Sequence, residues 1–166
     1  DVGGGSGVMS INCVKSNPKL NATVLDRPVV CDLAGQYIAD EGLTHRIETQ
    51  ALDFLQEDFP DGFDVHLFSN IMHNYDTDIA IKLLQKSFNS LQPGGLILVV
   101  ELDIRPDGIS PLFAALFNLL ALAVMERGEV RPAEEYRNWM QSIGFTDLEH
   151  IPLFRPSTLV QGVKPR

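Results

Sequence analysis

Apolar residues recur along this chain in two alternating rhythms, and the switches between them predict its elements. A glycine turn opens the chain, and residues 8–15 follow it with helical character. Ala22-Thr23-Val24-Leu25 is a short β-branched run closed by Asp26-Arg27-Pro28, which predicts a strand and its turn. Over 29–40 the apolar positions Val30, Leu33, Ala34, Tyr37 and Ile38 keep helical spacing. Residues 46–52 alternate and predict a strand ending at Asp53-Phe54, and 63–69 predict another. Asp76-Thr77-Asp78 supplies N-cap chemistry for a helix over 79–91. Pro93-Gly94-Gly95 is a turn, and Leu96-Ile97-Leu98-Val99-Val100 is the continuous apolar run of a strand buried on both faces. The long apolar run over 110–125 predicts a buried helix, because it falls short of the ~20 residues a membrane span needs and Asn118 interrupts it. A helix over 132–143 ends at Gly144, and 146–151 and 158–163 predict two closing strands.

Helices alternating with apolar strands imply an α/β fold, a mostly parallel, doubly wound sheet covered on both faces with an antiparallel pair at its end. A length of 166 residues suits one domain spanning 1–166. The glycine turn begins at the third residue, where a full strand normally precedes it. The first strand is therefore expected to be truncated, and the chain to be a fragment.

Composition narrows the partners. Thirteen basic against 22 acidic side chains leave a formal net charge of −9, and the longest basic cluster lies over 164–166. Nucleic acid and anionic membrane surfaces repel such a chain. Cys13 and Cys31 are the two cysteines, without CxxC spacing, so free thiols in a reducing cytosol are the simpler expectation. No His/Cys/carboxylate cluster carries metal-ligand spacing, which favours metal-independent chemistry.

Glycines at 3, 5 and 7 after an acidic residue form a GxGxG turn between strand and helix. In doubly wound sheets this turn lies at the carboxyl edge, where ligands bind. Asp26 follows about 20 residues on at a strand end, the place from which a carboxylate accepts ribose hydroxyls. The dinucleotide fingerprint asks for glycine at position 8, where Val8 stands, and Gly-Lys-Ser/Thr is absent. A plain tight turn remains open for the glycines alone. Together with Asp26 they point to an adenosine-bearing cofactor without a pyrophosphate.

Asp1-Val2-Gly3-Gly4-Gly5-Ser6-Gly7, Leu25-Asp26-Arg27-Pro28, Leu52-Asp53-Phe54, Ile71-Met72-His73-Asn74-Tyr75-Asp76 and Leu91-Gln92-Pro93-Gly94-Gly95 with Glu101 occur in the order and spacing of one group. The chain resembles the S-adenosylmethionine-dependent small-molecule O-methyltransferases of the caffeate, hydroxyindole and polyketide-tailoring type. The resemblance covers almost the whole chain. It implies a seven-stranded Rossmann-like sheet with a reversed last hairpin, and a cytoplasmic homodimer whose amino-terminal dimerisation domain is not part of this chain. It further implies that Gly3 and Gly5 approach the methionine part of S-adenosylmethionine, that Asp26 binds the ribose, and that Asp53 and Phe54 recognise adenine. Ser69 stands where the family often has Lys or Arg, which leaves a backbone contact to the cofactor.

His73 matches the family's catalytic histidine and follows a strand at the carboxyl edge. His45, His66 and His150 have no motif context and are expected to be structural. A neutral imidazole accepts the proton that a hydroxyl acceptor loses as it attacks a methyl group, and Glu101 matches the acidic partner that fixes its tautomer. Asn74 replaces the family's Asp after the histidine, and Val130, with Glu129 beside it, stands where plant members carry a second glutamate. Asn118, Ala121 and Met125 share a helix face and are expected to line the acceptor pocket, extended by Phe113 and Phe117, although core packing or a partner interface explains the same stripe. Two rival functions stay open: a non-catalytic cofactor-binding module, and an NAD-dependent oxidoreductase, which Val8 disfavours.

Overall fold

The computed structural model describes residues 1–125, 128–154 and 156–166. The chain divides into two compact units, Asp1–Asp58 and Phe59–Arg166.

In the first unit, helix α1 (Val8–Ser16), strand β1 (Ala22–Asp26), helix α2 (Pro28–Asp40) and strand β2 (Ile47–Ala51) follow one another. β1 and β2 pair in parallel, Ala22 opposite Ile47 through Asp26 opposite Ala51. Both helices pack on this pair, and Val14, Val24, Ala34, Ile38 and Ile47 form its apolar core. Of β2 only Ile47 is buried, so the predicted alternation marks a strand that shows most of its length to solvent. Before α1 the chain touches β1 through a single parallel bridge, Val2 to Leu25.

The second unit contains strand β3 (Val65–Ser69), a 3₁₀ turn (Met72–Asn74), helix α3 (Thr77–Ser90), strand β4 (Leu96–Leu102), helices α4 (Leu112–Val124) and α5 (Ala133–Ile143), and strands β5 (Thr146–Pro152) and β6 (Ser157–Val163). The sheet order is β3-β4-β6-β5. β3 and β4 are parallel, while β6 runs antiparallel to both β4 and β5, which is the reversed closing hairpin expected from the sequence. Asp76 caps α3 by accepting the Ile79 N–H at 3.0 Å, and Gly144 ends α5 with φ 119°.

The fold class is α/β, as expected. The described residues form six strands in a two-stranded and a four-stranded sheet, not the seven of the sequence reading; ahead of the glycine turn Val2 makes an isolated parallel bridge to Leu25. The 3₁₀ turn is a further difference, since no periodicity announces three residues.

The apolar helix over 110–125 forms, but it is not buried. Ala114 and Ala121 are covered, while Leu112, Phe113, Leu116, Leu119, Leu120 and Val124 are exposed. Small side chains let one face approach Leu102, Ile104 and Val130; no described residue of this unit covers the rest. A helix hydrophobic all round buries only the face its neighbours reach. Among the described residues no helix is long and apolar enough to cross a membrane.

Candidate functional site

In the first unit the glycine turn is stitched to β1. Gly3 N donates to Leu25 O at 2.8 Å, and Leu25 N donates back to Asp1 O at 2.9 Å. A Cβ on Gly4 would lie 2.8 Å from the Asp1 carboxyl and 2.9 Å from Val24 Cγ1, so this close approach requires glycine. Gly5 has φ +57°, a conformation that L side chains rarely adopt. Its N–H donates to Asp26 Oδ2 at 3.0 Å, and Arg27 N donates to Asp26 Oδ1 at 2.8 Å. Each carboxylate oxygen of the buried Asp26 thus holds one backbone donor and keeps a further lone pair for a ligand hydroxyl.

Leu52 N donates to Asp26 O at 2.9 Å and carries the β1–β2 ladder one step past its last paired residues. Asp26 and Asp53 therefore end neighbouring strands at one carboxyl edge. Asp53 is exposed and nucleates a turn, its Oδ1 accepting Leu55 N at 3.1 Å while its own N–H donates to Glu57 Oε1 at 2.9 Å. Phe54 beside it is buried. Asp1 adds what the sequence reading passed over. Its Oδ2 accepts from Ser10 Oγ at 2.7 Å, while Oδ1 is buried with no hydrogen-bond partner among the described residues. An acidic residue ahead of the glycines was the only sign of it. Gly3, Gly5, Asp26, Asp53 and Phe54 are thus brought to one end of the β1–β2 pair. A carboxylate with spare lone pairs, an orphaned acidic oxygen and a side-chain-free turn fit an adenosine cofactor bearing a charged amino-acid end.

In the second unit β3 ends at Ser69, opposite Val100. Asn70 N then donates to Val100 O at 2.9 Å, and with φ 54° Asn70 turns the chain into the 3₁₀ turn that carries His73. Glu101 is 1% exposed, a buried carboxylate that costs several kcal/mol unless its lone pairs are satisfied. They are: Oε1 accepts Met72 N at 2.7 Å and His73 N at 3.4 Å, and Oε2 meets His73 Nδ1 at 2.7 Å. An ionised carboxylate only accepts, so against it Nδ1 bears the proton, and a neutral ring so placed keeps its lone pair on Nε2. Phe117 of α4 meets the buried His73 ring edge-on, with centroids 5.1 Å apart and planes at 83°.

All three pocket candidates take part in hydrogen bonds with the backbone. Asn118 Oδ1 accepts Val130 N at 2.8 Å, and Met125 N donates to Ala121 O at 2.8 Å at the end of α4. Ala121 is fully buried. Glu129 reaches the His73 turn through its main chain, its N–H donating to His73 O at 2.8 Å, while its carboxylate pairs with Arg131 at 3.1 Å. Arg131 is buried and donates to Tyr75 O at 3.0 Å, a contact the sequence reading missed because an Arg before Pro carries no periodic signal.

Of the histidines without motif context, His45 and His150 are exposed. His66 is buried against Phe59 and Phe63, its Nδ1 3.0 Å from Ser87 Oγ. Burial first, with the Lys164 charge adding, pushes its pKa down to about 4.

Residues 1–146 match the family model for the O-methyltransferase domain, and the chain belongs to that family. It is 37% identical over 166 residues to a 3-hydroxy-5-methyl-1-naphthoate 3-O-methyltransferase of Streptomyces sahachiroi, an alignment spanning 99% of this chain and 48% of that protein. Among solved structures, the S-adenosylmethionine-dependent methyltransferase SibL in its apo form superposes with a TM-score of 0.92 at 32% identity, over 100% of this chain and 50% of that one. Human N-acetylserotonin methyltransferase in complex with S-adenosylmethionine superposes with a TM-score of 0.89 at 27% identity, over 100% of this chain and 47% of that one. The chain thus spans about half the length of the relatives it matches.

Proposed function

We propose that this chain is the S-adenosylmethionine-binding catalytic part of an enzyme that moves a methyl group to a hydroxyl of a small aromatic or polyketide-like acceptor, with His73 as the base. The observation that carries the reading is the buried His73 Nδ1–Glu101 pair at 2.7 Å, which leaves Nε2 as the proton acceptor. Family membership and the named substrates of the relatives support the choice of reaction.

When bound, S-adenosylmethionine supplies an electrophilic methyl on a sulfonium sulfur. Gly3 and Gly5 let the backbone approach its methionine end, Asp26 accepts from the ribose hydroxyls, and Asp53 accepts from the adenine amine beside Phe54. A backbone group of Ser69 adds a further contact. Asn118, Ala121 and Met125 belong to the acceptor pocket on this reading, with Phe117 holding the apolar side against the imidazole. A neutral phenol is a poor nucleophile; His73 Nε2 removes its proton as attack proceeds, a contribution of about 10²- to 10⁴-fold for a positioned base. Glu101 holds the ring in the required tautomer and stabilises the imidazolium that forms. No metal ion is needed for that proton transfer.

The same reading takes both compact units as one catalytic domain. It takes the whole protein as a cytoplasmic homodimer, and the exposed leucines of α4 support an interface there.

Calorimetric titration with S-adenosylhomocysteine and a radiolabelled methyl-transfer assay over a panel of phenols test the reading. His73→Ala is expected to bind S-adenosylhomocysteine like wild type and to lose at least about a hundredfold in turnover. Normal turnover in that variant overturns the assignment of the base.

A further inference from the structure

The Met72–Asn74 turn that carries His73 is held from one side by Glu101, which bonds Met72 N, His73 N and the ring. Its carbonyl side is held by a different segment. Glu129 N donates to His73 O at 2.8 Å, and Arg131 donates to Tyr75 O at 3.0 Å, two residues further on. Arg131 also donates to Glu129 O at 3.2 Å, so one guanidinium ties the strap to itself and to the turn. Asn118 fixes the same strap to α4 through Val130 N.

Arg131 is an expensive way to do this if it only fills space. It is 1% exposed, its carboxylate partner Glu129 is an exposed side chain, and its Nε has no hydrogen-bond partner among the described residues. The guanidinium lies over the Trp139 ring, 5.6 Å from its centroid. Replacing a buried charge by an apolar side chain of similar volume is often neutral or stabilising, so packing alone does not call for a cation here. Beside it the Tyr136 phenol is also buried. Burial pushes that phenol far above its usual pKa; the Glu101 charge adds to the rise and the Arg131 charge opposes it, so all three lie within electrostatic reach of one another.

We propose that Arg131 is a positioning residue for the base. Its fork, acting with the Glu129 main chain, straps the His73–Tyr75 carbonyls so that the imidazole stays on Glu101 with Nε2 presented to the acceptor. The inference rests on the reading of His73 as the base. It adds that the geometry of the base is set from both sides of its turn, by a carboxylate on the N–H side and by a guanidinium on the carbonyl side.

Two variants and two readouts test it. Arg131→Met keeps an apolar stem over Trp139 and removes both donations. Arg131→Lys keeps the charge but cannot fork between two carbonyls. Both are expected to fold, to bind S-adenosylhomocysteine like wild type, and to keep KM within about threefold while kcat falls about tenfold or more, as expected when a reacting group is misplaced by a fraction of an ångström. The ¹⁵N shifts of the His73 ring are expected to move from a single Nδ1–H tautomer toward a mixture in Arg131→Met. A merely structural arginine would change the melting temperature without the kcat-against-KM split or the tautomer change. Wild-type kcat and wild-type ring shifts in folded Arg131→Met overturn the proposal. Failure of both variants to fold also overturns it, by making Arg131 a support of the fold alone. Should wild type transfer no methyl group to any acceptor, the functional reading fails, and the ring shifts still decide the strap because they need no turnover.

Discussion

Acidification tests the environment of the buried His66, and the stability of the second unit is the place to see it. His66 is 4% exposed, its ring edge-on to Phe59 at 5.6 Å and its Nδ1 3.0 Å from Ser87 Oγ, with no carboxylate partner among the described residues. In the folded protein its pKa is pushed down to about 4, by burial first. In the unfolded chain a histidine titrates near 6.5, so between these values the unfolded state binds the extra proton. The sign follows: this contribution to stability is complete above pH ~6.5 and is lost as pH falls toward ~4, at ~1.4 kcal/mol per pH unit, or about 3 kcal/mol in all. Against a total of roughly 5–15 kcal/mol that is a large fraction. Urea unfolding followed through the fluorescence of Trp139, the only tryptophan of the chain, reports on the unit that holds His66. His66→Gln retains an amide for Ser87 and cannot titrate, so its stability is expected to fall less steeply from pH 7 to 4.5. Carboxylates contribute to acid loss in both proteins and cancel in the difference. Parallel curves for the two proteins would refute the assignment of a neutral, desolvated His66.

Two further outcomes bear on the candidate site. In Glu101→Gln the amide N–H faces His73 Nδ1 and forces the proton to Nε2, so turnover is expected to fall by about a hundredfold or more while S-adenosylhomocysteine affinity, read by calorimetry, stays put. In Asp26→Asn a charged acceptor for ligand hydroxyls is lost, and S-adenosylhomocysteine affinity is expected to fall about tenfold to a hundredfold, from ~1.5–3 kcal/mol per charge-assisted hydrogen bond; unchanged affinity would remove Asp26 from the ribose site.

Much of the fold is legible in the chain because periodicity and caps are local. Asp76 before the amphipathic α3, Gly144 after α5, and the apolar run of β4 each announce their element within a few residues. The glycine turn and Asp26 were visible as a motif, and the structure adds the bond between them, Gly5 N to Asp26 Oδ2. What stayed hidden is long-range. The exposure of α4 depends on which neighbours reach it, and an apolar window looks the same whether it faces a core or solvent. Arg131 bonds Tyr75, 56 residues away, through a single carbonyl, and no spacing rule records such a contact.

Glu101 shows how near the surface of the sequence such a site lies. Along β4 the buried positions are Ile97, Val99 and Glu101, followed by Leu102, so the glutamate occupies the next place on a face otherwise filled by branched apolar side chains. Period-2 alternation makes that visible without coordinates: a carboxylate where the buried face continues must find donors or forfeit several kcal/mol. The parallel register that sets Ser69 opposite Val100 brings the donors, because the chain leaving β3 must pass Glu101 before α3 can begin. A one-residue slip of β4 against β3 would turn Glu101 to the other face and strand the turn at residues 72–74. The buried carboxylate therefore serves two ends at once. It ties the main chain of the His73 turn, and it selects which ring nitrogen bears the proton. In His66 the partner is a hydroxyl that can donate or accept, so the same imidazole, equally buried, has no fixed tautomer and no means of holding a positive charge.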